Sequence, residues 1–243
     1  MSRSIFLKDT DVRWCPGCGD YAILKYLAET LEARGLKPED VTVVSGIGCS
    51  SRLPYYLNTY GFHTLHGRAL SIATGIALVQ PDRPLIVITG DGDSCSIGLN
   101  HYLHTIKRNV NMTIILVNNH VYGLTKGQHS PTSLVGQKTK TMPQGVQEEP
   151  FSPLLLALAA GGSWLGRCFD VDHKLMKSLL NHALNHKGTS VLEVIQNCPI
   201  FDQDAYLSLK EHYRESYILW PNQKEEEDWN NGRYLYKDSS SQE

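Results

Sequence analysis

The sequence predicts an α/β fold built on a doubly wound, mostly parallel sheet. Three runs of continuous, largely β-branched hydrophobic residues occupy 41–45, 85–89 and 112–117, and each run ends in glycine or polar residues. Hydrophobicity that is continuous rather than alternating is typical of strands buried on both faces. Segments with helical periodicity separate these runs, so strand and helix alternate along the chain, as they do in sheets covered by helices.

The same patterns locate the remaining elements. Two later hydrophobic runs, at 164–169 and 190–195, extend the sheet. Apolar residues at the spacing of one helix face predict helices at 21–34, 69–79, 97–108, 153–160 and 172–186. The segment 126–150 is rich in glycine and proline without periodicity, which predicts a long loop with a functional or partner-contacting role. We expect one domain at 1–222 and a tail at 223–243 that docks a partner or is partly disordered.

Composition argues against several classes of partner. With 23 basic and 25 acidic residues the formal charge is -2, so we expect no binding to nucleic acid or to an anionic membrane. The N-terminal residues lack the patterns of signal and transit peptides, and no apolar run approaches the roughly 20 residues of a transmembrane helix. These features predict a cytoplasmic protein, whose six cysteines serve metal binding or catalysis rather than disulfides.

Acidic and amide side chains follow two of the predicted strands. A Gly-Asp-Gly-Asp segment at 90–93 comes after one strand, and an Asn pair at 118–119 ends the next. Parallel strands end at the same sheet edge, where glycine turns and helix N-termini bind phosphates. The carboxylate of Asp91, the amide oxygen of Asn119 and the carbonyl of Val121 are hard donors that suit Mg²⁺. A Gly-Asp-Gly turn alone is equally expected in an ordinary tight turn, and the Asn pair is what favours a metal-diphosphate site.

Four of the cysteines lie where strand ends would bring them together. Cys15 and Cys18 form a CxxC in WCPGCGD, Cys49 lies in GIGCSSR, and Cys198 lies in NCP. Four thiolates suit either a structural zinc ion or an iron–sulfur cluster, and their spacing does not choose between the two.

The motifs together resemble a known family. The Gly-Asp-Gly turn followed by the Asn pair is similar to the thiamine-diphosphate fingerprint, and WCPGCG, GIGCSSR, HGRALSIATGIAL and GDGD look like the β subunit of 2-oxoacid:ferredoxin oxidoreductases. The resemblance covers 14–199 and implies the diphosphate-domain fold of thiamine-diphosphate enzymes. It implies that the cofactor contacts are Ile47, Gly48, Cys49, Ser50, His66, Gly67, Gly90, Asp91, Gly92, Asp93, Asn119, Gly123 and Leu124. It further implies that Asp91, Asn119 and Val121 hold Mg²⁺, and that a [4Fe–4S] cluster is ligated by Cys15, Cys18, Cys49 and Cys198.

The resemblance implies a catalytic subunit that converts 2-oxoglutarate, coenzyme A and oxidised ferredoxin to succinyl-CoA, CO₂ and reduced ferredoxin, or that runs the reverse carboxylation. A pyruvate or broad-range 2-oxoacid enzyme, a non-oxidative thiamine decarboxylase or synthase, and a non-enzymatic iron–sulfur relay subunit are the alternatives. The glutamate that activates the thiamine pyrimidine normally lies on a separate domain, which this chain is too short to include. We therefore expect an α subunit to supply it, in an (αβ)₂ assembly.

Four residues are candidates for contacts with the reactants. His66 resembles the family position beside the thiamine ring, and otherwise is an ordinary helix-entry residue. Leu124 is either an apolar wall that excludes water from the reacting carbons or a core leucine. The guanidinium of Arg52 would pair with the distal carboxylate of 2-oxoglutarate, or else forms a surface salt bridge. Lys126 is either a contact for the phosphates of coenzyme A or an ordinary exposed lysine.

The remaining cysteines and a histidine pair have simpler interpretations. Cys95 is either a reactive thiol at a helix N-terminus or a small residue packed beside the diphosphate. Cys168 lies in a predicted strand, where a thiol behaves as a small apolar side chain. His182 and His186 have the spacing of a zinc-binding pair but lack the HExxH pattern, so we expect them on a solvated helix face.

Overall fold

The computed structural model describes residues 4–202, Leu207, Ile218–Trp220 and Leu235–Tyr236. Its main feature is an eight-stranded sheet. The strands are β1 (Thr42–Ser45), β2 (Tyr60–His63), β3 (Leu85–Gly90), β4 (Met112–Asn118), β5 (Val121–Tyr122), β6 (Gln128–His129), β7 (Trp164–Phe169), β8 (Thr189–Ile195), β9 (Ile218–Trp220) and β10 (Leu235–Tyr236). Their order across the sheet is β10-β9-β7-β8-β4-β3-β1-β2, while β5 and β6 pair separately. All pairs from β7 to β2 are parallel, and β9 and β10 add antiparallel strands at one side.

Helices cover both faces of the sheet. They are α1 (Asp20–Ala33), α2 (Leu53–Tyr56), α3 (Ala69–Val79), α4 (Asp91–Cys95), α5 (Leu99–Lys107), α6 (Pro153–Ala159) and α7 (His173–Asn185). Alternate residues of the central strand β4 point to opposite faces. Ile115 and Val117 pack in one apolar core with α1 and α7, whereas Ile114 and Leu116 pack in the other with α3, α5 and α6. The doubly wound α/β prediction is confirmed.

The parallel register brings four strand ends to one edge. Gly90 at the end of β3 lies opposite Val117 of β4, and Asn118 at the end of β4 lies opposite Ile195, the last residue of β8. The end of β1 at Ser45 lies opposite Ile88 of β3. The loops that follow these strands therefore leave the sheet side by side, and they carry the glycine, acidic, amide and cysteine motifs.

Strand β2 is the parallel strand that hydrophobic patterning does not predict. All four of its residues are exposed, because it lies at the edge of the sheet and pairs only with β1 among the described strands. An edge strand covered on neither face leaves no continuous hydrophobic run in the sequence.

The predicted tail at 223–243 lies outside the described residues apart from Leu235–Tyr236, which pair with β9. Its role as a docking or partly disordered segment stays a prediction. Within the described part of the chain, no helix combines the length and the apolar character needed to cross a membrane.

Ile115→Ala should destabilise the protein strongly, because Ile115 is fully buried at the centre of the sheet. A large-to-small substitution in a core costs about 2–5 kcal/mol, which urea denaturation would measure. Leu78→Ala is the matched control, since Leu78 is 80% exposed on α3 and should change stability by less than about 0.5 kcal/mol. Equal effects of the two changes would contradict the burial assigned to β4.

Candidate functional site

A cavity of about 540 Å³ opens where β1, β3 and β4 end; we call it the larger cavity. All but one of the residues predicted to contact a cofactor line it, namely Ile47, Gly48, Cys49, Ser50, His66, Gly90, Asp91, Gly92, Asp93, Asn119, Gly123 and Leu124. The exception is Gly67, which lies behind the wall and donates its N–H to Asp93. Val121 also lines the cavity, so the three candidate Mg²⁺ ligands face the same space.

Asp91 is held at the base of this cavity. It begins α4 directly after β3, and it is only 2% exposed. Its Oδ2 accepts hydrogen bonds from Ser130 Oγ at 2.5 Å and from Thr132 Oγ1 at 2.7 Å. Burial raises the pKa of Asp91, and a cation in the cavity would favour the ionised form. Beside it, the amide oxygen of Asn119 accepts the N–H of Val121 at 3.3 Å, which holds the turn after β4.

Asp93 joins three loops around the cavity. Its buried carboxylate accepts the N–H groups of Ile47 at 3.2 Å and Gly67 at 2.7 Å, and the hydroxyl of Thr89 at 2.7 Å. It also lies 2.9 Å from Nδ1 of His66, whose side chain is 40% exposed. A buried carboxylate thus orients His66 at the cavity wall, whereas Asp93 itself is occupied by the protein.

The four cysteines predicted to bind a cluster line a second cavity of about 190 Å³; we call it the cysteine cavity. Cys15 and Cys18 come from the loop before α1, Cys49 from the loop after β1, and Cys198 from the loop after β8. Among the described residues, no group of three or more His, Cys, Asp or Glu side chains is arranged to hold a metal ion. The four cysteines therefore line one cavity from three separate loops.

Trp14 ties the N-terminal loop to the loop after β1. Its indole N–H donates to the carbonyl of Cys49 at 2.7 Å. The ring packs edge-on against Tyr21 and Tyr56, with centroids 5.4 Å and 4.8 Å away. Gly17, with a φ of 81°, makes the turn inside the CxxC, a conformation that glycine adopts without strain. Two cysteine loops that are distant in sequence are thereby fixed against each other.

Burial opposes ionisation of two thiols in this cavity. It raises the pKa of Cys49 to about 12 and that of Cys18 well above its usual range. The Cys18 thiol donates to Asp20 at 3.4 Å, and burial raises the pKa of this carboxyl to about 7. Thiolates at these positions require a bound cationic centre.

The two cavities share a wall formed by Cys49, Asn119, Gly123 and Leu124. A methyl group added at Gly123 would lie 3.6 Å from Cys198 Sγ, 3.7 Å from Cys49 Sγ and 3.8 Å from Asn119 Nδ2. Two thiols and the amide of a candidate metal ligand therefore surround a single glycine. Leu124 is 48% exposed, so it forms part of this wall and is not a core leucine.

Arg52 lines the cysteine cavity, not the larger one. Its guanidinium donates to the carbonyl of Arg13 at 3.0 Å, and no salt bridge of Arg52 is found among the described residues. Lys126 is exposed where the long loop begins. Neither position by itself decides the role of the residue.

Cys95 and Cys168 are each only 2% exposed, and neither lines the cysteine cavity. Cys95 ends α4 rather than beginning a helix, and burial raises the pKa of both thiols. Both behave as small buried side chains and not as reactive thiols. On α7, the expectation that the histidine pair is solvated is only partly met, because His186 is half-buried with Nε2 2.7 Å from Ser163 Oγ.

Sequence reasoning missed several residues of the larger cavity. Tyr122 lines it and donates its hydroxyl to the carbonyl of Gly92 at 3.1 Å, and His129 lines it from β6. Ser130 and Thr132 lie behind the wall on Asp91. The aperiodic segment 126–150 marked the region that supplies three of these residues, but hydroxyl and imidazole groups in a loop do not reveal which of them are buried.

Comparison with known proteins identifies the family. Residues 46–194 match the family model described as thiamine pyrophosphate enzyme, C-terminal TPP binding domain. The chain is 50% identical over 214 residues to the 2-oxoglutarate oxidoreductase subunit KorB of Mycobacterium tuberculosis, and 40% identical over 204 residues to the 2-oxoglutarate synthase subunit KorB of Archaeoglobus fulgidus. The chain belongs to the β-subunit family of the 2-oxoacid:ferredoxin oxidoreductases. Thiamine diphosphate is the cofactor of this family.

A solved structure of this family has the same architecture. The 2-oxoglutarate:ferredoxin oxidoreductase from Magnetococcus marinus superposes with a TM-score of 0.82 at 38% sequence identity, covering 85% of this chain and 71% of that one. That protein contains bound 2-oxoglutarate, coenzyme A and succinyl-CoA. The Mycobacterium alignment covers 88% of this chain but 57% of the relative, and the Archaeoglobus alignment covers 84% and 76%.

Gly46→Ala should disrupt the wall of the larger cavity, because the added methyl group would collide with the carboxylate of Asp93. We expect a loss of about 1–3 kcal/mol in the free energy of unfolding, together with weaker thiamine-diphosphate binding in a fluorescence titration. Gly75→Ala is the matched control, since the space around Gly75 in α3 is open and alanine there should add about 0.5–1 kcal/mol. Wild-type cofactor affinity in Gly46→Ala would refute the role given to Asp93.

Proposed function

We propose that this chain is the catalytic β subunit of a 2-oxoglutarate:ferredoxin oxidoreductase that forms succinyl-CoA or runs the reverse carboxylation. The observation that carries the proposal is the shared wall. It separates the cavity that Asp91, Asn119 and Val121 line from a cavity lined by four thiols. The names of the Mycobacterium, Archaeoglobus and Magnetococcus proteins support the choice of 2-oxoglutarate.

The residues of the larger cavity fit a magnesium diphosphate. Asp91, Asn119 and the carbonyl of Val121 would hold Mg²⁺, since carboxylate, amide and carbonyl oxygens are its preferred protein ligands. Burial raises the pKa of the Asp91 carboxyl, because a buried carboxylate without a cation is poorly stabilised. A bound cation would stabilise the ionised form. Gly90 leaves room for phosphate oxygens at the strand end, whereas the missing side chain of Gly92 makes room for the ring of Tyr122.

The thiols of the cysteine cavity fit an iron–sulfur cluster better than a zinc ion. A [4Fe–4S] cluster takes each of its four thiolates at a different iron atom, whereas zinc draws four ligands to one point. The described cysteines line a cavity of about 190 Å³, and this volume suits a cluster of several atoms better than a single ion. Cys15, Cys18, Cys49 and Cys198 would therefore hold the cluster.

The residues of the chain would position these groups and shield them. When bound, thiamine diphosphate would supply the chemistry that decarboxylates a 2-oxoacid, and the cluster would accept electrons one at a time. His66 lies at the cavity wall with Nδ1 held by Asp93, which leaves Nε2 to face the reactants. Leu124 would exclude water from the reacting carbons. Gly123, without a side chain, keeps the wall between the two centres thin.

The distal carboxylate of bound 2-oxoglutarate would need a cationic side chain near the shared wall as its partner. Arg52 lies in the cysteine cavity together with Leu124, and the fork of a guanidinium group pairs well with a carboxylate. Lys126, two residues beyond Leu124, would attract the phosphates of coenzyme A. A pyruvate enzyme would not need Arg52, so preference between pyruvate and 2-oxoglutarate separates these two alternatives.

The active assembly would include an α subunit, in an (αβ)₂ arrangement, and would pass its electrons to ferredoxin. In the described part of the chain no glutamate lines the larger cavity, although a glutamate activates the pyrimidine in thiamine enzymes of this kind. The α subunit would supply that glutamate and complete the cavity wall.

The central experiment is anaerobic co-expression of the chain with its α subunit, followed by viologen or ferredoxin reduction with several 2-oxoacids. We expect coenzyme A-dependent reduction with 2-oxoglutarate that requires both subunits. Full activity of the isolated chain would refute the need for a partner. Bound cluster without any 2-oxoacid activity in the complex would identify an electron-relay subunit instead.

Cys49→Ser should remove the cluster, because Cys49 is a proposed ligand at the shared wall. Iron analysis of the anaerobic wild-type protein should give about four atoms per chain, and the variant should lose most of this iron and its broad visible absorbance. Cys168→Ser is the control, since Cys168 is buried in β7 outside both cavities. Stoichiometric zinc in the wild type would refute the cluster.

Arg52→Ala should raise the KM for 2-oxoglutarate by about 10–100-fold, the effect of losing one charge-assisted hydrogen bond. Its activity with pyruvate should stay unchanged, because pyruvate has no distal carboxylate. Arg83→Ala serves as the control, since Arg83 packs over Tyr60 with 5.0 Å to the ring centroid and lines neither cavity. An unchanged KM for 2-oxoglutarate in Arg52→Ala would remove this assignment.

A further inference from the structure

Three hydroxyl side chains of the long loop are buried against the larger cavity. Ser130, Thr132 and Ser133 are almost fully buried, although the loop is a connection between β6 and α6. Burying a hydroxyl costs free energy unless it is hydrogen-bonded. The partners of these hydroxyls therefore indicate what the loop does.

Two of the hydroxyls meet on one oxygen of Asp91. Ser130 Oγ donates to Asp91 Oδ2 at 2.5 Å, and Thr132 Oγ1 donates to the same atom at 2.7 Å. The single hydrogen of Thr132 Oγ1 has a second acceptor in Asn118 Oδ1 at 2.9 Å. Whichever acceptor it takes, both hydroxyl oxygens lie against Oδ2 and occupy the space around it. Neither hydroxyl donates to Oδ1, which leaves that oxygen as the one suited to a metal.

Further polar contacts hold Thr132 in position. The carbonyl of Thr132 accepts the Nδ1–H of His120 at 2.6 Å, and Thr132 Oγ1 lies 2.9 Å from Asn118 Oδ1. The Asn118 amide in turn donates to Glu193 at 2.8 Å, and Glu193 pairs with Arg167 at 2.7 Å. A buried chain of polar contacts thus extends from the sheet interior to the carboxylate.

The third hydroxyl has a different role. Ser133 Oγ donates to the carbonyl of His120 at 2.6 Å and accepts the N–H of Ser130 at 2.8 Å. It ties the loop to His120, in the turn after β4, and does not bond to Asp91. Ser133 therefore supports the backbone of Ser130 from behind.

We propose that Ser130 and Thr132 are positioning residues that restrict Asp91 to one metal-binding oxygen and thereby make the site select Mg²⁺ over Ca²⁺. This inference rests on the metal site of the proposed function. Mg²⁺ takes a compact octahedral shell, whereas Ca²⁺ takes six to eight oxygens and often binds both oxygens of a carboxylate. When the two hydroxyls cover one oxygen of Asp91, the other oxygen can still bind Mg²⁺. The carboxylate cannot bind Ca²⁺ through both of its oxygens.

The test is metal-dependent binding of thiamine diphosphate to the co-expressed complex after removal of metal and cofactor. Tryptophan fluorescence would follow cofactor binding against Mg²⁺ or Ca²⁺ concentration in wild type, Ser130→Ala, Thr132→Val and the double variant. We expect the half-saturating Mg²⁺ concentration to rise about 10–100-fold, the usual effect of removing a hydrogen bond behind a metal ligand. The half-saturating Ca²⁺ concentration should stay unchanged or fall. Thr132→Ser, which keeps the hydroxyl, should retain the wild-type preference for Mg²⁺.

Ser190→Ala is the control, because Ser190 is a buried hydroxyl on β8 that bonds to Thr113 and to the carbonyl of Ala183 and not to Asp91. It should leave the ratio of the two half-saturating concentrations unchanged. Equal shifts for both ions in Ser130→Ala and Thr132→Val, or an altered ratio in Ser190→Ala, would overturn the proposal while leaving cofactor binding intact. If the double variant does not fold, the single variants and Thr132→Ser decide the outcome. Wild-type protein that binds no thiamine diphosphate with either ion would overturn the proposed function as well.

Discussion

The parallel register of β1, β3, β4 and β8 is the constraint on which both cavities depend. Each strand is buried between helices and leaves the sheet at the same edge, so four loops must leave side by side. In an antiparallel sheet the same four motifs would alternate between opposite edges. Oxygen donors after β3 and β4 and thiols after β1 and β8 become neighbours without any long-range signal in the sequence.

The shared wall lies between two cavities whose candidate ligand atoms differ. A metal-diphosphate site needs hard oxygen donors, whereas the cysteine cavity offers soft thiols. Cys49 and Gly123 belong to both cavities, and the absence of a side chain at Gly123 brings the sulfurs close to Asn119. The proposed metal-diphosphate and cluster sites would therefore lie next to each other, with no bulky side chain at Gly123 between them.

Polar groups inside the sheet support this edge. Glu193 is fully buried on β8, where an isolated charge would be costly, yet it pairs with Arg167 and holds the Asn118 amide. The same chain of contacts reaches Thr132 and then Asp91. Asp93 has the corresponding role on the other side, where it ties the loops at Ile47 and Gly67 to β3. Buried hydrogen bonds therefore connect the loops of the site to the sheet.

The sequence by itself determined the α/β class, the buried strands and the set of motifs at one sheet edge, because hydrophobic periodicity and position relative to a strand end are local properties. It did not reveal β2, whose exposed residues have no hydrophobic pattern. Only the tertiary structure decided that Ser130 and Thr132 contact Asp91 from 39 and 41 residues away, and that Arg52 faces the thiols. A short polar side chain has the same sequence signature in solvent as on a buried carboxylate, and only packing distinguishes the two.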